Sequence, residues 1–382
     1  MPPDPIGRPT GRPRAVMTWT VDPQSFNAPH ERETRGAIAR RTARLLGVPF
    51  AGEFDPARPA GAAHAYLVPS DTLDPEAARA AGVRGPEDLL GGVVPHGFVA
   101  TKAITHPLVA ADAPRPPGWS DRFGEAVKDA TLRGFTAFSH QDAMQAARRL
   151  LPRGPVRVKA AQGAGGAGQF VARSQSQFIH GLADLTPRDV EAHGVCIEEN
   201  IERPLVLCVG QIRVGNALAS YHGTQRETHD RQGAVTYGGS DLVVVRGGFE
   251  QLARLRLPPH VRRAVEQVLL YHRAVLDCYP GMFASRINYD VVQGEAADGS
   301  ACSGVLEQSW RIGGATSAEI TALEAFRAQP GRRCVAASCM EVHGQAQPPP
   351  QACVYFHGTD AELGPLLKYA FIQPGDDPAI SR

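Results

Sequence analysis

The chain has 382 residues, of which 43% are hydrophobic and 21% are charged, and its formal net charge at pH 7 is +1. This is enough apolar material for two or three folded domains, and it excludes a wholly disordered chain. The even charge balance argues against a basic surface for nucleic acid or anionic membrane, and no apolar run is long enough to span a bilayer.

The first fourteen residues are rich in proline and arginine and have no apolar segment behind them. They predict a disordered arm over 1–14 and not a signal peptide. The seven cysteines, an odd number without CxxC spacing, indicate reduced thiols in a cytoplasmic protein. Among 40 basic residues, four are lysines: Lys102, Lys128, Lys159 and Lys368. In such an arginine-rich chain, each lysine is a candidate for a position that needs a compact ammonium group.

Hydrophobic periodicity predicts an α/β fold of the mixed, α+β kind. Strands are expected over 15–21 and 63–69, with a helix over 32–46 between them. This pattern indicates a small N-terminal α/β domain over 15–110, followed by a proline-rich boundary at 113–120.

Two further units are predicted after this boundary. The second unit, 111–200, is expected to contain helices and strands in this order: helix 140–151, strand 156–161, strand 169–173, helix 178–193 and strand 194–201. The third unit, 201–382, is expected to contain these elements: strands 205–214 and 241–246 around a polar loop, helix 261–278, strands 286–294 and 303–310, and helix 317–328.

A glycine-rich segment over 163–168 formally fits the dinucleotide pattern GxGxxG. That pattern requires a helix to begin at Gly168, whereas residues 169–173 alternate as in a strand. The sequence therefore favours a flexible loop between two antiparallel strands, whose N–H groups and the nearby Lys159 can reach phosphates. A nicotinamide-dependent oxidoreductase and a plain hairpin loop are the alternatives.

The second informative segment is a hairpin with Asp298-Gly299 as a predicted two-residue turn. Residue numbers of paired positions then sum to 597, and one face carries three pairs: Asp290 with Glu307, Asn288 with Ser309, and Arg286 with Arg311. The other, core-facing side carries Leu306, Gln308 and Trp310.

Like charges placed opposite each other destabilise a pair of strands. Two opposed carboxylates therefore predict a bound cation, and hard oxygen ligands suit Mg²⁺. Two neighbouring arginines suit a phosphate or a substrate carboxylate. The alternative is a different register, in which the arginines neutralise the acids as a surface network.

The order of these pieces resembles the ATP-grasp superfamily, which includes biotin carboxylases and carboxylate–amine ligases. A lysine-bearing strand is followed by the glycine-rich loop, the acidic segment Glu198-Glu199-Asn200, an Asp-bearing strand and Glu-x-x-x-Arg. Within this superfamily, one uncharacterised bacterial family is similar in four segments: FVATKAITHP, YHGTQ, TYGGSDL and VLEQSWRIGGATSAEI. The resemblance implies two α+β subdomains that clasp a nucleotide, after a small N-terminal α/β domain.

The resemblance also implies roles for individual residues. ATP phosphates would contact Lys102 and Lys159 and lie under Gly163, Gly165, Gly166 and Gly168. Adenine would be held by Glu198, Glu199 and the backbone near Asn200, with Glu202 the nearest candidate for the ribose. Mg²⁺ would be carried by Asp290 and Glu307, with Asn288 and Ser309 beside them. Ser309 departs from the family signature, which usually has asparagine there.

The implied activity is that of an ATP- and Mg²⁺-dependent, ADP-forming ligase. A carboxylate would become an acyl phosphate and then be captured by an amine or another nucleophile. Candidate catalytic residues are Arg286, Arg311 and His222, and Gln225 and Arg226 would line the acceptor side. Expected partners are therefore small molecules, without nucleic acid or membrane, and a homodimer is left open. A non-catalytic nucleotide-binding regulatory protein is a second alternative, because Ser309 replaces the usual asparagine.

Overall fold

The computed structural model describes four continuous ranges, 13–58, 64–163, 168–229 and 235–374, and the two single residues 231 and 233. Gly165, Gly166 and all but the last two residues of the predicted arm lie outside this part of the chain.

The N-terminal region forms a small α/β layer, as its periodicity predicts. Its elements are β1 (Ala15–Trp19), α1 (Pro29–Leu46), β2 (Phe50–Glu53), β3 (Ala65–Pro69), α2 (Pro75–Ala80) and β4 (Gly92–Val93). The central strand β1 pairs in parallel with both β2 and β3, the arrangement that a strand–helix–strand connection permits.

The middle region contains an antiparallel sheet with strand order β5-β8-β6-β7 within the described residues. Its elements are α3 (Asp121–Ala126), β5 (Gly134–Ala137), α4 (His140–Leu150), β6 (Val156–Ala160), β7 (Gln169–Ala172), α5 (Gln175–Leu182), α6 (Pro187–His193) and β8 (Val195–Glu199). The single helix predicted over 178–193 is in fact two helices, because Thr186 caps a new helix that Pro187 begins.

The last region is dominated by a large antiparallel sheet, whose described strands run in the order β14-β13-β9-β10-β11-β15-β17-β16. Its elements are β9 (Glu202–Val214), β10 (Ala217–His229), β11 (Val235–Arg246), α7 (Phe249–Leu252), α8 (Pro259–Cys278), β12 (Phe283–Ala284), β13 (Arg286–Glu295), β14 (Ala301–Ser309), α9 (Thr316–Ala328), β15 (Cys334–His343), β16 (Cys353–Asp360) and β17 (Gly364–Ile372).

The prediction of a polar loop between residues 214 and 241 is wrong. Strands β10 and β11 pair from Ala219–Arg246 to His229–Val235, with one register shift between Arg226 and Glu227. Their polar side chains resemble a loop in composition, but several of them line cavities of the folded protein, which explains why the pattern misleads.

Helices cover the two faces of the large sheet unequally. Helix α8 packs against one face, through a core that includes Val209 and Tyr289. Helices α1 and α9 cover only part of the other face, in a core that includes Ile212 and Tyr221. The uncovered part of that face borders cavities shared with the four-stranded sheet. In the described part of the chain, no helix is long and apolar enough to cross a membrane.

Candidate functional site

The β13–β14 hairpin places Asp290 opposite Glu307 and Asn288 opposite Ser309, in the predicted register. Beyond Asp290 the register shifts by one, so the tip is wider than the predicted two-residue turn. The extra residue is Leu306, and this bulge brings Leu306 to the cavity that Glu307 also lines. The prediction that Leu306 faces the core is therefore wrong, whereas Gln308 and Trp310 are buried on the core side.

The opposed Glu307 carboxylate disturbs the ionisation of Asp290. Burial, and then the charge of Glu307, raises the pKa of Asp290 to about 6. The Asn288 amide opposes this shift, because its Nδ2 donates to Asp290 Oδ1 at 3.0 Å. Asp290 and Glu307 thus form a site where a cation relieves a repulsion that the fold has built in.

The predicted Arg286–Arg311 pair does not exist. Arg286 is buried in an ion pair with Glu319 of α9, with Nη2 2.7 Å from Glu319 Oε1. Arg311 lies past the end of β14, with its guanidinium carbon 3.8 Å from the ring centre of Phe26 and Nε 3.7 Å from Asp71 Oδ1. The hairpin pattern could not show Glu319, which comes from a later helix.

Tyr221 connects that buried ion pair to the hairpin. Its hydroxyl lies 2.6 Å from Glu319 Oε1 and 3.0 Å from Asn288 Oδ1. The side chains of Arg286, Glu319, Tyr221 and Asn288 are all buried, so they form one connected polar network under the opposed acids.

Lys102 lies in a short 3-10 turn, Lys102–Thr105, and its side chain is only 5% exposed. Its Nζ lies 2.8 Å from Glu307 Oε2 and donates to the Gly163 carbonyl at 2.6 Å. Gln308 holds the preceding segment, since its Nε2 donates to the Val99 and Thr101 carbonyls at 2.9 and 2.6 Å. The ammonium group is thereby fixed between the glycine-rich segment and the opposed acids.

Lys159 lies one residue before the end of β6 and is 4% exposed. Its Nζ lies 2.5 Å from Glu198 Oε1, and His106 Nε2 lies 2.9 Å from Glu198 Oε2. Burial alone would raise the pKa of Glu198, but Lys159 and His106 outweigh it and lower that pKa to about 2. Both carboxylate oxygens of Glu198 are therefore engaged by protein groups.

The other acidic-segment residues diverge from their predicted roles. Asn200 is buried and accepts from Arg157 Nη2 at 3.1 Å, and Glu199 accepts from the Arg133 backbone at 3.2 Å. Glu202 is exposed and borders none of the cavities described below. Glu227 of β10 does line the cavity beside Glu198, and it was missed because its segment resembled a loop.

Three adjoining cavities meet at Glu307. The hinge cavity, about 330 Å³, is lined by residues that include Lys159, Glu198, Ile201, Glu227, Asp290 and Leu306. The loop cavity, about 400 Å³, is lined by residues that include Asp71, Lys102, Gly163, Ser309 and Arg311. The sheet cavity, about 620 Å³, is lined by residues that include Gln225, Tyr237, Arg286, Asn288, Asp290 and Arg311.

His222 lies elsewhere. It pairs across the sheet with Val209, on the face that α8 covers, and it lines none of the three cavities. Burial, and then the nearby His260, lowers the pKa of His222 to about 4, so it is neutral at pH 7. The structure thus gives His222 no place in the site. Arg226 borders the sheet cavity, but its Nε is paired with Asp241 Oδ2 at 2.6 Å.

The donor set at the opposed acids fits Mg²⁺. No cluster of three or more His, Cys, Asp or Glu side chains suited to a metal occurs in the described part of the chain. Proteins commonly bind Mg²⁺ through one or two carboxylates, and substrate phosphates and water complete its shell. Asp290 and Glu307 satisfy this requirement, with the Asn288 amide and the Ser309 hydroxyl beside them.

Comparisons with known proteins place the chain in a family of unknown function. The sequence profile of the family described as "Protein of unknown function (DUF3182)" matches residues 17–370. No curated protein matches the chain.

Several solved structures are similar to the chain at low sequence identity. Phosphoribosylamine–glycine ligase from Thermotoga maritima is 14% identical with a TM-score of 0.52, and the match covers 95% of this chain and 93% of that one. D-alanyl-alanine synthetase A from Vibrio cholerae is 10% identical with a TM-score of 0.44, covering 85% and 95%. An ATP-grasp ligase from Chryseobacterium gregarium is 8% identical with a TM-score of 0.35, covering 84% and 98%.

Proposed function

Because the chain belongs to the DUF3182 family and has the ATP-grasp fold, we propose that it is an ATP- and Mg²⁺-dependent ligase. The observation that carries the proposal is the junction at Glu307. There a buried lysine, a glycine-rich segment and two opposed carboxylates meet at the wall of three adjoining cavities.

In this proposal the hinge cavity holds the nucleoside. Its apolar lining, which includes Ile201 and Leu306, suits a base, and Glu227 is a carboxylate free to accept from ribose hydroxyls. Lys159 faces the same cavity, and its ammonium group would neutralise phosphate charge while staying paired with Glu198. Glu198 then serves to orient Lys159 and does not itself hold adenine.

The loop cavity would hold the triphosphate. Lys102 and the backbone near Gly163 point to it, and Gly168 ends the same loop. Mg²⁺ bound at Asp290 and Glu307 would supply charge neutralisation for the phosphates. With the charges balanced and the reactants positioned, a substrate carboxylate oxygen attacks the γ-phosphorus and ADP leaves. An amine or another nucleophile then attacks the acyl carbon, releases phosphate and loses a proton.

The nicotinamide alternative is not supported. It requires a helix to begin at Gly168, whereas Gln169–Ala172 is strand β7, paired antiparallel with β6. A helix N-terminus is therefore missing where that reading needs pyrophosphate to bind.

Titration calorimetry with ATP and Mg²⁺ tests the proposal on three proteins. The wild type should bind ATP, and Lys102→Met should lose at least about tenfold in affinity, because a phosphate-facing charge is removed. Lys128→Met is the matched control, since Lys128 is an exposed lysine paired only with Glu125. Its affinity should equal that of the wild type.

The chemistry is tested separately, by following ADP release with panels of carboxylates and amines. Release that needs both partners supports the ligase. ATP binding without release for any pair favours the non-catalytic nucleotide-binding alternative. A wild type that does not bind ATP, or a Lys102→Met variant that binds normally, contradicts the proposal.

A further inference from the structure

A fourth cavity, about 410 Å³, lies under helix α1 and has no part in the nucleotide site described above. We call it the α1 cavity, and its lining includes Phe26, His30, Arg35, Tyr237, Arg311 and Lys368. It shares Tyr237 and Arg311 with the sheet cavity, so it adjoins the site where the γ-phosphoryl group would be transferred. Its volume suits a small organic molecule.

The notable feature of the α1 cavity is a buried cation without a counter-ion. Arg35 is only 2% exposed, and among the described residues no carboxylate forms an ion pair with it; Glu53 and Glu31 act on its charge only from a greater distance. Its Nη atoms donate to the Phe26 carbonyl at 3.1 Å and to Thr20 Oγ1 at 2.6 Å, and its Nε has no partner. A buried charge is costly unless it is paired, so this guanidinium is prepared for an anion.

Two neutral groups beside Arg35 are also unpartnered. His30 is 9% exposed and its Nδ1 makes no hydrogen bond, and the buried Thr34 Oγ1 likewise has none. Both residues lie on the first turns of α1 and line the cavity. They offer hydrogen-bonding partners to a polar ligand that reaches Arg35.

The remaining charges of the cavity do not neutralise Arg35. Glu341 is paired with Lys368 at 3.0 Å, and Glu31 accepts from the Ala28 backbone at 2.9 Å. Arg311, at the junction with the sheet cavity, adds a second guanidinium, whose Nε lies 3.7 Å from Asp71 Oδ1. The lining holds three cations, Arg35, Arg311 and Lys368, against two carboxylates, and this excess of one positive charge disfavours a simple amine and favours an acid.

We propose that the α1 cavity binds the carboxylate substrate of the ligase, and that this substrate is a small organic acid with a second anionic group. The reacting carboxylate lies at Arg311, next to Glu307, and the non-reacting anionic group lies deeper, at Arg35. This inference deepens the proposed function and rests on it for the identity of the reacting group.

The test is calorimetric titration of the full-length protein with ADP and Mg²⁺ present and absent. The probes are malonate, succinate, glutarate and adipate, with butyrate and butylamine for comparison. At least one dicarboxylate should bind about tenfold more tightly than butyrate, as a charge-assisted contact predicts. Butylamine should bind no better than butyrate.

Arg35→Gln should abolish the preference for the dicarboxylate. Arg40→Gln is the matched control, because Arg40 is an exposed arginine on the same helix, and it should keep that preference. If Arg35→Gln fails to fold, Thr34→Val replaces the unpartnered hydroxyl at nearly constant volume and should weaken dicarboxylate binding several-fold.

A wild type that binds butyrate as tightly as every dicarboxylate, or butylamine more tightly, overturns the inference. So does an Arg35→Gln variant that folds and keeps the preference. The protein could bind dicarboxylates through Arg35 and yet fail to bind ATP. That result would support the acid-binding site in the α1 cavity and contradict the proposed ligase function. If the protein binds ATP but shows no preference for a dicarboxylate, the nucleotide site is supported and the acid-binding site is contradicted.

Discussion

At the scale of single residues, the candidate site depends on buried charges that are held by neighbours distant in sequence. Lys159, Glu198 and His106 come from separate elements, and their contacts leave no oxygen of Glu198 unpaired. Removing one member of such a group leaves a buried charge uncompensated, which is far more costly than breaking a surface pair.

We therefore expect Glu198→Gln to lower the free energy of unfolding by about 3–5 kcal/mol at pH 7. The matched control is Glu199→Gln, one residue along and partly exposed, which should change it by less than about 1 kcal/mol. Urea unfolding measures both variants. Equal effects of the two substitutions would show that the buried pairing does not stabilise the fold.

The same carboxylate predicts how stability depends on acid. Its pKa is lowered in the folded state from 4.5 to about 2. Its contribution is therefore fully present above pH 4.5 and is lost as the pH falls toward 2. The loss of stability over this range should be shallower in Glu198→Gln than in the wild type, measured by urea unfolding at several pH values. Identical slopes would contradict the assignment.

For Asp290 we expect the opposite dependence of stability on pH. Its pKa is raised to about 6, so its ionisation destabilises the folded protein as the pH rises through that value. Without Mg²⁺, Asp290→Asn should be more stable than the wild type by about 1–3 kcal/mol at pH 8, with little difference at pH 4. It should also lose Mg²⁺-dependent ATP binding.

Asp298→Asn, at the exposed tip of the same hairpin, is the control for that variant and should leave both properties nearly unchanged. Thermal unfolding at the two pH values, followed by ATP titration, measures the effect. An Asp290→Asn variant that is less stable than the wild type at pH 8 would count against repulsion between the opposed acids.

At the scale of elements, the sequence pattern predicted correctly those features that depend on residues close together in the chain. Alternation and the position of the hairpin placed Asp290, Glu307 and Asn288 on one face. Partners that come from elsewhere in the chain were not predictable: Glu319 reaches Arg286 from a later helix, and Glu227 lines the hinge cavity from a strand that reads as a loop. Strands β10 and β11 carry many polar side chains because these line cavities. Their sequence therefore lacks the alternation of apolar and polar residues that marks a strand, and the composition led to the prediction of a loop.

The glycine-rich segment gives an element-scale prediction at Gly168, which has a φ of +68°. A Cβ there would lie 3.1 Å from the Ala160 Cβ, and left-handed backbone disfavours a side chain. Gly168→Ala should cost about 1 kcal/mol of stability and weaken ATP binding. Gly331→Ala, where the space is open and φ is not in the left-handed region, is the control and should do neither.

At the scale of the whole molecule, the N-terminal layer is not separable from the rest. Ile38 and Ala39 of α1 share one core with Leu323 of α9 and with the large sheet, and Arg41 is paired with Glu324. Lys102, which contacts Glu307, also precedes the boundary predicted from composition. The domain limits drawn from the sequence stay predictions, and the N-terminal layer packs against the large sheet and α9 through this shared core.

A fragment that contains only residues 111–382 should consequently fail to unfold cooperatively, because it exposes the surface that α1 covers. Circular dichroism melting and gel filtration of the fragment and the full chain measure this. A monomeric fragment that melts as sharply and at the same temperature as the full chain would contradict it.

The hydroxyl of Tyr221 has one proton but lies between two acceptors, Glu319 and Asn288. The Glu319 carboxylate is the stronger acceptor, so the proton belongs there, and when a cation binds at Asp290 we expect the Asn288 amide to turn over, so that its NH₂ donates to the phenol oxygen instead of to Asp290. That rotation gives up the hydrogen bond from Asn288 Nδ2 to Asp290 and turns the amide oxygen toward an ionised carboxylate, an arrangement that the bound cation makes favourable. Helix α9, through one phenol, thus governs which end of an amide the cation meets.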